Sequence, residues 1–407
     1  MLLARVLRHV IKVGTLTLID ANGKTHVFEG TSSPACTVRF HDRSLHWRML
    51  LNPKLAFGEG WMDETITCDD GTIYEVLDLM ARNITFLEKH PSQIWREKLG
   101  AFARFIHSYN PMPRARRNVA HHYDLSGALY DLFLDKDRQY SCAYFTSDND
   151  NLETAQASKK LHLAAKLRLE PGQKLLDIGS GWGGLALYLA RIGGVDATGV
   201  TLSTEQHKLS QERAAAAGLS DRVRFFLRDY REQKGPFDRI VSVGMFEHVG
   251  ASHYREFFRK VKELLTDNGV MLLHAIGRME PPGSTNPWLR KYIFPGGYTP
   301  ALSEVMSAIE DVGLWVTDME ILRLHYASTL REWRRRFNAN RKKAEALYDA
   351  RFCRMWDFYL AGSEVSFRYM NQMVFQIQLA KRQDAVPLTR DYITQFEKEN
   401  AGRVVAA

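Results

Sequence analysis

Two short segments of this sequence combine residue types that could carry chemistry. The first, LLDIGSGWGG at residues 175–184, places Asp177, Gly179, Gly181 and Gly183 at alternate positions directly after an apolar run. Glycines at a strand-to-helix turn let the backbone pass close to a ligand that faces the helix N-terminus. Three glycines and a preceding aspartate are more than a tight turn requires, so they predict a ligand-binding loop.

The second segment is GMFEHVG, residues 244–250, which follows the apolar run FDRIVSVG. It introduces Glu247 and His248 where a buried strand is expected to end. Glu247 could cap the helix that follows. It could also be catalytic, because doubly wound sheets place their ligands at the carboxyl ends of the strands. For His248 the sequence indicates only a capping or packing role.

The glycine turn departs from the G-x-G-x-x-G spacing of dinucleotide-binding proteins. Its pattern fits the S-adenosylmethionine turn of class I methyltransferases better. In that fold the second strand usually supplies an acidic residue to the adenosine ribose, but the next strand here, GVTLSTEQ, has no carboxylate before Glu205. Thr201 and Gln206 would have to take that place.

The elements that position these segments follow from the hydrophobic pattern. From residue 174 onward, short apolar strands alternate with helical segments, which predicts a parallel sheet covered by helices on both faces. The fold class is therefore α/β, a Rossmann-like methyltransferase sheet. The helix after the second strand of this sheet is expected to begin at Ser203 or Thr204. Near the end, MVFQIQLAK at 373–381 alternates with period two and predicts an added antiparallel edge strand.

The first hundred residues predict a separate small α+β domain. Asn22-Gly23 is a hairpin signal between two alternating strands. We expect an N-terminal domain at 1–105, a basic proline-containing linker at 106–118 and a catalytic domain at 119–400. The predicted N-terminal helix has an apolar face that either packs on the protein's own core or lies on an anionic membrane.

Charge and cysteine usage narrow the class of partner and the compartment. The net charge of +8, with basic clusters at 114–117, 331–336 and 341–343, favours an anionic partner, which could be nucleic acid, an acidic membrane surface or a phosphorylated substrate. No nucleic-acid-binding motif accompanies it, so we expect no nucleic-acid partner. Four scattered cysteines and the lack of a signal peptide or long apolar run predict a cytoplasmic protein. His121 and His122 lack a third ligand at recognisable spacing, so no metal site is predicted.

Several longer segments together resemble a known family. They resemble cyclopropane-fatty-acyl-phospholipid synthases and the related mycolic acid cyclopropane synthases in order and spacing. The segments are NVAHHYDLSGALYDLFLDKDRQYSCAYF, LLDIGSGWGGLALYLAR, GVTLSTEQ, GMFEHVG and LLHAIG. In the first domain, LLNPKLAFGEGWMDETI resembles the longer bacterial enzymes, which carry an N-terminal lipid-binding domain.

The resemblance implies a methylene transfer. The methyl group of S-adenosylmethionine adds to a cis double bond of a phospholipid acyl chain, the methyl then loses a proton, and the ring closes. An alkene is a poor nucleophile, so the sulfonium must be held at near-attack distance, and the intermediate carbocation must be kept from water. The base in this family is a bound bicarbonate.

The resemblance also implies site residues. Five positions match the groups that hold bicarbonate, with Ile276 contributing through its backbone: Cys142, Glu247, His274, Ile276 and Tyr326. Eleven positions match the cofactor site. They are Tyr140 and Ser141 at the methionine end, Asp177, Gly179, Gly181 and Gly183 at the turn, Thr201, Leu202 and Gln206 on the ribose side, and Asp229 and Tyr230 beside the adenine.

One departure and two alternatives accompany this assignment. Ser363 occupies a position where several family members have a cysteine, which argues against an obligatory covalent intermediate. One alternative is a related methyltransferase that gives a methyl-branched lipid or an N-methylated product. The other is a non-catalytic lipid-binding protein with a vestigial methyltransferase fold. The resemblance further implies an enzyme bound peripherally to the inner face of an anionic membrane, where the basic clusters would contact the lipid headgroups. The two-domain members of the family predict a homodimer.

Overall fold

A computed structural model of the 407-residue chain describes residues 2–31, 33–88 and 126–403. The predicted linker at 106–118 and the pair His121 and His122 lie outside the described residues. The chain divides into two compact units. The first unit comprises residues 1–106, 284–295 and 330–372, and the second comprises 107–283, 296–329 and 373–407.

The described strands and helices are numbered here in chain order. The strands are β1 (Thr15–Ile19), β2 (Thr25–Glu29), β3 (Ala35–Phe40), β4 (Ile66–Asp70), β5 (Lys174–Ile178), β6 (Asp196–Thr201), β7 (Val223–Leu227), β8 (Phe237–Val243), β9 (Leu265–Arg278), β10 (Trp315–Ile321) and β11 (Gln372–Ala380). The α-helices are α1 (Leu2–Val10), α2 (Leu45–Leu51), α3 (Pro53–Met62), α4 (Ile73–Arg82), α5 (Ile84–Glu88), α6 (Gly127–Asp131), α7 (Leu152–Leu167), α8 (Gly184–Gly193), α9 (Thr204–Ala216), α10 (Tyr254–Leu264), α11 (Pro287–Tyr292), α12 (Leu302–Val312), α13 (His325–Ala339), α14 (Arg341–Leu347), α15 (Ala350–Tyr369) and α16 (Asp391–Asn400). Short 3₁₀ turns lie at Tyr230–Glu232, Phe246–His248, Ala251–His253 and Ala401–Arg403.

The first unit is built on a four-stranded sheet in the order β2-β1-β3-β4. The predicted hairpin is confirmed, because β1 pairs antiparallel with β2 across Asn22-Gly23. The apolar face of α1 packs on this unit's own core, where Leu3, Ala4 and Val10 are buried. Of the two roles predicted for this helix, packing on the core is therefore the one that occupies its apolar face.

The first unit also contains two segments that the sequence had assigned to the catalytic domain, 284–295 and 330–372. The Trp288 indole donates to Met62 Sδ at 3.3 Å, and Arg354 Nε donates to the Met62 carbonyl at 2.8 Å. Phe358 in the second of these segments packs on Phe57 of α3 and on Trp288 of the first, with ring centroids 6.0 and 4.6 Å apart. The catalytic region is therefore not one contiguous domain over 119–400.

The second unit contains the predicted Rossmann-like sheet. Its seven strands follow the order β10-β11-β9-β8-β5-β6-β7, and β9, β8, β5, β6 and β7 run parallel to their neighbours in that series. One group of buried apolar residues includes α10 and α12 with the sheet, and another includes α7 and α8. Apolar residues therefore pack on both faces of the sheet, as the alternating pattern predicts.

One prediction about an individual strand was wrong in part. The predicted edge strand forms β11, which has an antiparallel partner as expected but lies between β10 and β9 and is almost wholly buried. The antiparallel strand at the edge is β10, which the sequence did not reveal. Gln376 and Gln378 produce the apparent alternation of β11, but both amides are buried and hydrogen-bonded. The predicted N-cap of α9 is confirmed at Ser203, whose hydroxyl accepts from Gln206 N.

No described helix is long and apolar enough to cross a membrane.

Candidate active site

A cleft opens at the carboxyl ends of β5, β6 and β8 in the second unit. Its empty volume, including the open mouth, is about 1170 Å³. Ten of the eleven predicted cofactor residues line it: Tyr140, Ser141, Asp177, Gly179, Gly181, Thr201, Leu202, Gln206, Asp229 and Tyr230. The topology of the sheet brings them together, because parallel strands end at the same edge.

The three glycines of the turn have different surroundings. All have positive φ angles, 85° at Gly179, 53° at Gly181 and 82° at Gly183, so each uses a conformation that other residues rarely adopt. A Cβ at Gly181 would meet no atom within 4 Å, which leaves its backbone open to the cleft. A Cβ at Gly183 would lie 2.6 Å from the Phe225 ring. Gly183 does not line the cleft, so its role is the close packing of α8 on the sheet.

The far side of the cleft carries the polar groups predicted for the adenosine. Thr201 Oγ1 lies 2.8 Å from Gln206 Oε1, which holds both side chains at the end of β6. Asp229 is buried and accepts from the Arg231 guanidinium at 2.8 and 2.9 Å. At the end of β6, the uncharged side chains of Thr201 and Gln206 thus stand where related folds usually carry an acidic residue.

The wall next to the methionine end rests on a buried lysine. Lys159 Nζ donates to Gln139 Oε1 at 2.6 Å and to Ser141 Oγ at 2.9 Å, and both acceptors belong to cleft-lining residues. Burial lowers the pKa of Lys159 to about 8. No sequence pattern signals this role, because two adjacent lysines, Lys159 and Lys160, in a polar helix are typical of a solvated face.

Two cleft residues carry perturbed acid–base properties. Burial raises the pKa of Asp177, beneath the glycine turn, to about 7. Burial lowers the pKa of His248 to about 4, so its imidazole is neutral at pH 7. His248 lines the cleft, whereas the sequence indicated only capping or packing. Its position directly after Glu247 at a strand end was the available signal.

Glu247 is buried and does not cap a helix. It lies inside the turn Phe246–His248, and His253 is the N-cap of α10. Its Oε1 accepts from Ile276 N at 2.6 Å, and its Oε2 has no hydrogen-bond partner among the described residues. Burial raises the pKa of Glu247 to about 7, although the Ile276 N–H opposes this shift. Ile276 therefore acts through its backbone on Glu247.

His274 lies two residues before Ile276 on β9, and its carbonyl accepts from Gly244 N at 2.9 Å. This bond joins the end of β8 to β9 just before Glu247. The imidazole is 2% exposed, and burial together with nearby cationic side chains holds its pKa well below the usual range. His274 is accordingly neutral.

Cys142 and Tyr326 lie on two segments that are in contact. The backbone N–H of Ala143 donates to Thr329 Oγ1 at 3.0 Å, and Tyr326 is three residues before Thr329 in α13. The Cys142 thiol is buried, donates to the Ala143 carbonyl at 3.3 Å and has a pKa raised by burial. Ser141, the residue before Cys142, connects this segment to the cleft, because both Ser141 and Gly244 line it. A Cβ added to Gly244 would lie 4.0 Å from the Cβ of Ser141.

Comparisons with known proteins agree with this architecture. A family model described as mycolic acid cyclopropane synthetase matches residues 111–377. The cyclopropane-fatty-acyl-phospholipid synthase of Escherichia coli is 37% identical over 350 residues, which cover 86% of this chain and 89% of that protein. A tuberculostearic acid methyltransferase of Mycobacterium tuberculosis is 34% identical over 390 residues, covering 93% and 90% respectively. A probable fatty acid methyltransferase of Pseudomonas putida is 44% identical over 257 residues, covering 61% and 65%.

Solved structures give the same result. A cyclopropane synthase from Mycobacterium tuberculosis superposes with a TM-score of 0.63 at 33% identity, covering 67% of this chain and 99% of that one. A mycolic acid cyclopropane synthase solved with S-adenosylhomocysteine superposes with a TM-score of 0.62 at 35% identity, with the same coverage.

Proposed function

The chain belongs to the mycolic acid cyclopropane synthetase family and is an S-adenosylmethionine-dependent methyltransferase, and we propose that it converts the cis double bond of an unsaturated phospholipid acyl chain into a cyclopropane ring. The observation that carries this proposal is the placement of Glu247. A buried carboxyl group, oriented by a backbone N–H, stands at the end of the strand that also borders the cofactor cleft.

The cleft residues would bind and orient the cofactor. Bound S-adenosylmethionine supplies an electrophilic methyl group. Thr201, Gln206 and Asp229 would hold the adenosine, and the open backbone at Gly181 would let the ligand approach the turn. Lys159 would keep Ser141 in place at the methionine end. A carbocation must be kept from water, so this mechanism requires the cleft to be closed to solvent while both substrates are bound.

The residues proposed for bicarbonate fit a small buried anion. Glu247 Oε2 has no hydrogen-bond partner among the described residues, and a carboxyl with its pKa near 7 can either donate to an anion or accept from its hydroxyl. The thiol of Cys142 is protonated, and the imidazole of His274 is neutral, so neither repels an anion by charge. Tyr326 would add a hydroxyl. Bicarbonate, when bound there, supplies the base for the final deprotonation.

Product analysis tests the proposal. The chain would be expressed in a host that lacks cyclopropane lipids, and the acyl chains would be analysed by mass spectrometry after oxidative cleavage of double bonds. We expect a gain of one CH2 unit with loss of the cleavable double bond. A surviving double bond, or a gain on the headgroup, would reject cyclopropanation.

A methyl-branched product is the second candidate. It is favoured by the names of two relatives, the tuberculostearic acid methyltransferase and the probable fatty acid methyltransferase. In the same experiment, a methylidene product gains CH2 and keeps a cleavable double bond, whereas a reduced methyl branch gains CH2 and two further hydrogens. The three lipids are therefore distinguished in one analysis.

Access to the lipid would come from peripheral binding to an anionic membrane. In the first unit, Trp47 and Leu51 are 66% and 73% exposed and stand four residues apart on one face of α2. Exposed Arg43 and Lys54 flank this helix. An exposed tryptophan beside cations suits the boundary between lipid headgroups and acyl chains.

Vesicle sedimentation tests this surface. Replacing Trp47 and Leu51 with serine should abolish most binding to anionic phospholipid vesicles, whereas Trp315→Ser, which removes a 52% exposed tryptophan from β10, should not. Equal binding by the two variants would reject α2 as the contact. A homodimer, which the family resemblance implies, is checked by light scattering of the full chain.

A further inference from the structure

A buried hydrogen bond joins two polar side chains on neighbouring strands of the second unit. Gln376 on β11 and His274 on β9 are 0% and 2% exposed, and Gln376 Nε2 lies 3.2 Å from His274 Nδ1. Gln376 Oε1 has no hydrogen-bond partner among the described residues. The mechanism proposed above leaves Gln376 without a role, although a buried amide with one group unpaired costs stability.

We propose that Gln376 is a positioning residue that fixes the tautomer of His274 and thereby keeps a proton on Nε2. An amide NH2 group can only donate, so the nitrogen that faces it must offer a lone pair. In a neutral imidazole one ring nitrogen accepts and the other carries the proton. With Nδ1 accepting from Gln376, the proton must be on Nε2.

This tautomer decides what His274 can bind, an inference that rests on the proposed bicarbonate site. An Nε2–H group donates to an anion without the imidazole becoming charged. The opposite tautomer would present a lone pair to the same anion and repel it. Because the pKa of the buried imidazole is well below the usual range, this tautomer would not gain a second proton and become a donor at both nitrogens. Gln376 would thus set the polarity of the site from one strand away.

If the Gln376 amide were rotated by 180°, the opposite tautomer of His274 would be expected. If Gln376 Oε1 faced Nδ1, the amide would accept, and the proton would be on Nδ1. Long-range ¹H–¹⁵N NMR of the intact protein with ¹⁵N-labelled histidine distinguishes the two tautomers by their ring-nitrogen shifts. The His274 signals are identified as those lost in His274→Gln.

We expect the wild type to show the Nε2–H tautomer. Gln376→Glu, whose ionised carboxylate can only accept, should move the proton to Nδ1 or give an imidazolium. The near-isosteric Gln376→Met should give a mixture of tautomers. Gln378→Met, two residues along β11 where the amide donates to the Lys166 carbonyl, is the matched control and should leave His274 unchanged. An Nδ1–H tautomer in the wild type, or a pure Nε2–H tautomer in a folded Gln376→Met, would overturn the inference.

A kinetic measurement separates this inference from the proposed function. The bicarbonate concentration for half-maximal turnover should rise at least roughly 10-fold in Gln376→Glu, as expected for a lost hydrogen bond to a charged group. The KM for S-adenosylmethionine should stay unchanged, since neither His274 nor Gln376 lines the cleft. If wild-type turnover does not depend on bicarbonate, the proposed base is wrong, yet the NMR result still decides what Gln376 does.

Discussion

Replacing Glu247 with glutamine should make the protein more stable above pH 7 and much less active. The carboxyl is buried and Oε2 lacks a partner among the described residues, so its ionised form is costly in the folded state. Burial raises its pKa from an ordinary value of 4.5 to about 7. The amide keeps the shape and can still accept from Ile276 N.

The size of the stability effect follows from linkage. Between pH 4.5 and about 7 the unfolded carboxyl is ionised while the folded one is still protonated, so the folded state binds more protons. Stability from this group is therefore lost as pH rises through this window and is constant above it. At 1.36 kcal/mol per pH unit, the loss is roughly 3 kcal/mol. Glutamine cannot ionise and escapes this loss.

Urea denaturation of both proteins at pH 5 and pH 8.5 measures the effect. We expect Glu247→Gln to exceed the wild type in free energy of unfolding by up to roughly 3 kcal/mol at pH 8.5 and by much less at pH 5. Glu212→Gln, at an exposed position of α9, should show little difference at either pH.

Turnover of Glu247→Gln should fall roughly 10- to 100-fold, the cost of a lost hydrogen bond to a charged group. Cofactor affinity should stay near normal, because Glu247 does not line the cleft.

Two outcomes would refute this reasoning. A variant less stable than the wild type at pH 8.5, or a stability difference independent of pH, would show that Glu247 is ionised and satisfied in the folded protein. Parallel loss of turnover and cofactor affinity would instead place Glu247 in the cofactor site.

The other predictions concern the glycine turn and the cysteines. Gly183→Ala should lower the thermal unfolding midpoint more than Gly181→Ala, because its Cβ would collide with Phe225, whereas Gly181→Ala should mainly weaken cofactor binding measured by calorimetry. Equal midpoints would contradict the packing role of Gly183. During alkylation of the native protein at pH 8 followed by mass spectrometry, Cys68, which is partly exposed, should react well before the buried Cys142. Early labelling of Cys142 would mean that its segment opens readily.

The sequence determined the local chemistry of this protein. Short-range rules give the glycine turn, the Ser203 cap, the hairpin at Asn22-Gly23 and the alternation of strands and helices, because each depends on neighbours within a few residues. Most positions that line the cleft were predicted from the family resemblance, and they meet in the fold because parallel strands bring their carboxyl ends to one edge.

Only the tertiary structure decided which polar groups are buried and what they contact. Lys159 and Gln376 read as ordinary polar residues, yet both are buried beside the site, because a hydrogen-bond partner far along the chain can satisfy a polar group in the core. The same long-range packing places β11 inside the sheet and joins 330–372 to the first unit. Long-range packing also decides between the two roles that the sequence left open for Glu247, a helix cap or a group in the site, by excluding the cap. Its partner, Ile276, is 29 residues away, and a cap would have contacted the next helix instead.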